Sequence, residues 1–223
     1  PDYSEELEDL KVYPEETLKP YADKFNLQFI RDGISLVTQE KFGVGYDEIS
    51  NRITIPERST SGDLVGIMGR ANYECEHEKR WYPLIPCPRS KTLFGYAENY
   101  HRIQETGNVV LFESEKAVMQ CDSFGSHIAL ATCGCHVSDV QAKYIKKKFP
   151  KRIILAYDEG LEEEHLINEC KKLISNNLIL KTKVGYVWTE AELIPEYSKM
   201  NIADLGREAY KEGLAKYVKW VEE

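Results

Sequence analysis

The sequence predicts a chain of mixed α+β and α/β class, with a mainly parallel sheet flanked by helices, preceded by a mixed α+β amino-terminal subdomain and followed by a carboxy-terminal helix. Three observations carry this expectation. From Asn108 onward, short apolar runs alternate with helix-patterned segments, the signature of βαβ units. The run Asn108-Val-Val-Leu-Phe-Glu113 ends abruptly in a carboxylate, and Arg152-Ile-Ile-Leu-Ala-Tyr157 ends the same way, in Asp158. Upstream, Asn51-Arg-Ile-Thr-Ile-Pro56 and Leu64-Val-Gly-Ile-Met68 flank the turn-forming Ser59-Thr-Ser-Gly-Asp63, the pattern of a hairpin.

In chain order, residues 15–32 carry helical spacing through Leu18, Tyr21, Ala22, Phe25 and Leu27, with Gly33 as a stop. A second short helix fits Leu36 to Phe42, and Gly43-Val-Gly-Tyr46 breaks it. After the hairpin, Ala71 to Pro88 reads as an irregular surface loop with Lys79-Arg80-Trp81-Tyr82 at its centre. Ala97 to Gln104 reads as a helix closing the first unit. The second unit alternates strand 108–112, a helix from Ser114 to Cys121, strand 127–131, and a helix opened by the capping box Ser138-x-x-Gln141 and ending at Lys148. Strand 152–157, a helix from Leu161 to Ile174 and strand 184–188 complete it. A last amphipathic helix is expected from Ala203, with Leu205, Ala209, Leu214, Tyr217, Val218 and Val221 mostly on one side. This divides the chain into units 1–104, 105–199 and 200–223.

With 223 residues, 42% hydrophobic and 30% charged, the composition is that of a globular protein of one or two units. No apolar run approaches the ~20 residues of a membrane span, so the expected setting is cytoplasmic, with no membrane partner. Pro1-Asp-Tyr-Ser offers neither an initiator Met nor an apolar signal core, and reads as the start of a piece of a longer protein. The six cysteines are scattered, as reduced thiols are. Cys133-Gly-Cys135-His136 is too sparse by itself to announce a zinc site. The net charge of −8 opposes a protein that coats nucleic acid, yet residues 51–156 are net basic between acidic ends, as a phosphate ligand would want.

Glu113 and Asp158 are the candidate chemical centre. Each alone is also what the first turn of a helix favours. On adjacent parallel strands, however, the two meet at the carboxyl edge of the sheet, where α/β proteins bind ligands, and clustered carboxylates there suit a hard cation such as Mg²⁺ or Mn²⁺. Glu159, Glu162, Glu163 and Glu164 follow closely.

The order of motifs resembles the RNA-polymerase core of bacterial and phage DnaG-type primases, whose central module is the toprim fold. The resemblance covers nearly the whole chain. It rests on Gly33-Ile-Ser, Phe42-Gly-Val-Gly-Tyr46, the 51–70 hairpin, Pro88-Arg-Ser-Lys-Thr-Leu-Phe-Gly95, Phe112-Glu113, Cys133-Gly134, Ala156-Tyr-Asp158 and Asn201-Ile-Ala-Asp204. It implies that Glu113, Asp158 and Lys91 serve catalysis and that Glu113, Asp158 and Asp204 hold divalent metal. It also implies that Arg52, Arg70, Arg80, Arg89 and Lys91 contact nucleotide or template. The sequence departs from the family at three acid positions, which here are Ala117, Gly160 and Asn201. Glu159 or Glu162 is expected to compensate at the metal site, Glu162 slightly preferred.

The implied activity is DNA-dependent synthesis of short RNA primers on single-stranded DNA from ribonucleoside triphosphates. A replicative helicase is the implied partner, through regions beyond this stretch. A catalytically weakened toprim module that binds nucleic acid or a replication partner is the alternative, and a toprim nuclease the third reading.

Overall fold

In the computed structural model, residues 10–22, 24–76, 79–174, 181–189 and 193–222 are described. Helical spacing over 15–32 resolves into two short pieces, because Pro20 cannot continue a helix: a 3₁₀ turn at Glu15–Leu18 and α1 at Leu27–Arg31, capped by the Asn26 side chain. Residue 23 of that stretch lies outside the described residues. Ser35 caps α2 (Leu36–Lys41) by accepting from the Thr38 N–H. The expected break at Gly43 instead leads directly into a short strand, β1 (Gly45–Asp47).

The hairpin forms as expected from β2 (Arg52–Arg58) and β3 (Leu64–Ala71). Its burial differs from a half-buried alternation, since Arg52, Thr54 and Glu57 are buried along with Ile53 and Ile55. The expected loop at 71–88 contains another strand, β4 (Trp81–Ile85), and residues 77 and 78 lie outside the described residues. The antiparallel sheet has the order β1-β2-β3-β4, which puts β4 at an edge. An edge tolerates Pro83, whose missing N–H needs no ladder partner there.

A 3₁₀ turn at Arg89–Lys91 and α3 (Tyr96–Thr106) lead into β5 (Asn108–Phe112), α4 (Glu115–Ser123), β6 (Ala129–Ala131), α5 (Asp139–Lys146) and β7 (Arg152–Leu155). α6 (Glu163–Leu173), β8 (Lys183–Val187), α7 (Arg207–Lys216) and β9 (Val218–Trp220) follow. The capping box at Ser138 and Gln141 is present with both reciprocal bonds. The last helix starts later and ends earlier than expected. Val218–Trp220 leaves it to pair antiparallel with β8, as an apolar β-branched and aromatic run does beside an open sheet edge.

The second sheet has the order β6-β5-β7-β8-β9, parallel except for β9. Its strands read as continuous apolar runs because both faces are covered. Val110 and Phe112 point into one cluster, with Phe29, Ile53, Met68, Met119 and Ile202. Val109 and Leu111 point into the other, with Ile145, Ile153, Leu155 and Leu173. The first cluster contains strands of both sheets, so it joins them. Among the described residues no helix is long and apolar enough to cross a membrane.

One ionic cluster crosses the same junction. Arg89 hydrogen-bonds Glu115 at the start of α4 and lies 3.8 Å from Glu57 of β2. Glu57 is wholly buried and neither of its carboxylate oxygens accepts a hydrogen bond. Burial, then the Glu115 charge, pushes its carboxyl well above the usual range, against the pull of Arg89. The neutral form of Glu57 is thus favoured, and the direct partner of Arg89 is Glu115. Replacing Arg89 by Met strands a buried carboxylate, and should cost about 3–5 kcal/mol in denaturant unfolding. Glu57→Gln, which keeps the shape and the neutral state, should cost far less, and equal costs for the two would reject this assignment.

Candidate active site

The parallel register Leu111↔Leu155 brings the ends of β5 and β7 side by side. The chain stays zipped past the strands: the Ala156 N–H donates to the Leu111 carbonyl at 2.8 Å, and the Asp158 N–H donates to Glu113 Oε1 at 3.0 Å. Asp158 Oδ1 in turn accepts from the Asn201 side-chain amide at 2.8 Å. Asn201 is itself 1% exposed, and its own Oδ1 accepts from the Ala203 N–H. It is steadied from behind by α7, whose Gly213 passes so close that a Cβ there would lie 2.7 Å from Ile202.

These acids stand in a cleft of about 780 Å³. Its acidic wall comprises Glu113, Asp158, Glu159 and Asp204. The same cleft is lined by Arg70 of β3, Trp81 of β4 and Arg80 just before it, with Lys116 and Lys199. Asp204 forms an ion pair with Lys116 and accepts from the Asn201 N–H at 3.2 Å. Arg70 pairs with Asp32 at 2.7 Å over the Phe29 ring. Arg80 is exposed at the rim.

The structure sorts the expected residues. Glu113, Asp158, Glu159, Asp204, Arg70 and Arg80 are brought together. Arg52, Arg89, Lys91 and Glu162 do not line this cleft. Arg52 is only 8% exposed and works as an internal strut, donating to the carbonyls of Gly69, Lys79 and Arg80 and to the Tyr73 hydroxyl. Arg89 is committed to Glu57 and Glu115, and Lys91 closes the same 3₁₀ turn. Glu162 stands at the N-cap of α6 and lines an adjoining hollow with Leu166 and Trp188. The turn at Gly160 has φ +101°, a conformation that side chains rarely adopt, so an aspartate at this position would be strained. Lys116, Ser114 and Lys199 line the cleft without having stood out in the sequence.

Burial, and next the Asp158 charge, push the Glu113 carboxyl up to about 7, although the Asp158 N–H pulls the other way. Between pH 4.5, the free glutamate value, and about 7, the folded chain therefore holds a proton that the unfolded chain has released. Stability falls as pH rises through that window. A carbon-13 titration of the Glu113 carboxyl should show a midpoint near 7 that drops in Asp158→Asn. A wild-type midpoint at 4.5 would contradict the arrangement.

Together the antiparallel sheet and the mostly parallel sheet with acids at its carboxyl edge make the fold of a primase catalytic core. Among solved structures the fold is similar to that of DnaG-type cores. The chain superimposes on the zinc-binding and RNA-polymerase domains of Aquifex aeolicus primase with a TM-score of 0.73, at 18% identity, over 93% of this chain and 60% of that one. It superimposes on a DnaG primase catalytic domain bound to single-stranded DNA with a TM-score of 0.69, at 12% identity, over 91% and 77%. The RNA polymerase domain of Mycobacterium tuberculosis primase gives 0.66 at 16% identity, over 90% and 81%.

In sequence, the chain is 25% identical over 228 residues to the SPbeta prophage-derived uncharacterized protein YorJ of Bacillus subtilis, covering 92% of this chain and 60% of that protein. It is 28% identical over 127 residues to a Staphylococcus aureus DNA primase, covering 56% of this chain and 21% of the primase. No protein-family model matches the chain.

Proposed function

We propose that this chain is a primase core that joins ribonucleotides into short RNA primers on single-stranded DNA, with its acids in a toprim module at residues 105–199. The observation that carries this reading is that Glu113 and Asp158 line one cleft together with Arg70 and Arg80. Nucleotidyl transfer asks little covalent chemistry of a protein; it asks for placement and for charge around the triphosphate. Arg70 and Arg80 supply donors in a planar fork that matches phosphate oxygens.

The four carboxylates that line the cleft offer only oxygen donors, and oxygen donors suit a hard divalent cation, Mg²⁺ or Mn²⁺. Glu113 and Asp158 would hold it, with Glu159 rather than Glu162 as the compensating acid. The ion would supply electrostatic stabilisation of the triphosphate and activation of the attacking hydroxyl. Asn201 keeps Asp158 oriented, and Lys116 holds Asp204 at the cleft wall. The ribonucleoside triphosphates and the DNA template would enter between the acids and the arginines. A helicase partner would act through other parts of the protein.

Asn201 and Lys116 also support a second reading, a catalytically weakened module that binds nucleic acid, because each engages an acid that a metal would share. Incubation with single-stranded DNA, labelled ribonucleotides and Mg²⁺ or Mn²⁺ separates the possibilities. Primer products that fall by roughly 100-fold or more in Glu113→Gln and Asp158→Asn are the expected result. DNA binding without product would favour the second reading, and strand cleavage a nuclease. Full product from both variants would end the enzymatic assignment at these acids.

A further inference from the structure

Beside the carboxyl edge of the parallel sheet lies a second group of ligating side chains, none of which lines the acidic cleft. Cys135 and His136 sit in the connection between β6 and α5, and His165 projects from the first turn of α6. The Cys135 sulfur and one nitrogen of each imidazole all lie within 4.8 Å of one another. The two rings meet edge to face, 4.9 Å between centroids.

The surroundings orient both imidazoles. His136 Nδ1 lies 3.2 Å from Glu169 Oε1, and Glu169 is nearly buried and fixed by the Val137 N–H at 2.7 Å and Lys172 at 2.7 Å. Against its burial, the hydrogen bonds from Lys172, Val137 and His136 hold the Glu169 carboxyl below its usual range. His165 Nε2 lies 2.8 Å from the Cys135 carbonyl. Each ring thus has one nitrogen against an oxygen, Nδ1 of His136 and Nε2 of His165, and its other nitrogen outside those two contacts. A carboxylate or carbonyl behind a histidine is the usual outer support of a metal-bound imidazole.

We propose that Cys135, His136 and His165 form a binding site for a borderline-soft divalent ion of the zinc class, separate from the hard-cation site proposed at Glu113 and Asp158. Two neutral imidazoles and one thiolate suit such an ion and would disfavour Mg²⁺. Metal–ligand lengths of about 2.0–2.3 Å place donors roughly 3.5 Å apart. The side chains would therefore close by about an ångström, which the exposed His136 can provide by rotation. Binding exchanges the Cys135 S–H bond for a sulfur–metal bond and releases one proton to solvent. The occupied site would tie the loop after β6 to the helix after β7, two connections at the edge where the acids stand.

Titration of the whole chain with Co²⁺, followed by displacement with Zn²⁺, tests this. We expect one equivalent to bind with a thiolate-to-cobalt charge-transfer band, about one proton to be released per ion in buffers of differing ionisation enthalpy, and Zn²⁺ to erase the band. Cys135→Ser should abolish the band. His136→Asn, at a largely solvent-exposed side chain, should weaken binding by roughly 10–100-fold. Glu113→Gln should leave the band intact. Absence of a thiolate band, its survival in Cys135→Ser, or its loss in Glu113→Gln would each overturn the site.

Discussion

The hydrogen bond from the Asp158 N–H to the Glu113 carboxylate is the constraint on which the site depends. It extends the pairing of β5 and β7 one step beyond the strands, using a side chain as acceptor while the Glu113 carbonyl accepts from the Gly134 N–H. The register of two apolar strands thereby sets the separation of two acids. Core packing on both faces of the sheet fixes that register, since a slip of one residue would carry every buried side chain to the opposite face. The acids inherit the rigidity of the sheet, and burial, with the Asp158 charge second, raises the Glu113 carboxyl.

The basic residues divide into two layers for a related reason. Arg70 and Arg80 reach the cleft, whereas Arg52 and Arg89 lie beneath it and hold its frame. Arg52 gathers the carbonyls of Gly69, Lys79 and Arg80, so it shapes the strand turn from which Arg80 projects. Arg89 ties a buried glutamate of the antiparallel sheet to the first turn of α4, directly after Glu113. Guanidinium groups thus contribute to the cleft both by lining it and by bracing the structure around it.

Much of this was legible in the chain. Strand 108–112, the hairpin and the Ser138–Gln141 cap follow from local chemistry, and the meeting of Glu113 with Asp158 follows once two strands are taken as parallel neighbours. What was not legible depended on distant partners. Nothing local distinguishes Arg52, which the fold buries, from Arg70, which faces the cleft. Nor does helical spacing reveal that Val218–Trp220 has a strand edge waiting at β8. Pro83 disguised β4, because a proline-bearing strand is tolerated only at an edge and edges are known only when the sheet is complete. That Glu159 lines the acidic cleft and Glu162 only the adjoining hollow depended on the turn between β7 and α6, and His165 joined Cys135 and His136 only through the placement of α6.

The close passage of Gly213 over Ile202 gives the carboxy-terminal helix a part in the chemistry that its distance from the acids conceals. Asn201, the donor to Asp158, is the immediate neighbour of Ile202, so the seat of that helix fixes the reach of the amide. The tolerance of the cleft is thus machined in an apolar contact that no substrate touches. Drift in the hydrophobic packing of α7 would be filtered by its effect on the alignment of Asp158 as well as by its effect on folding.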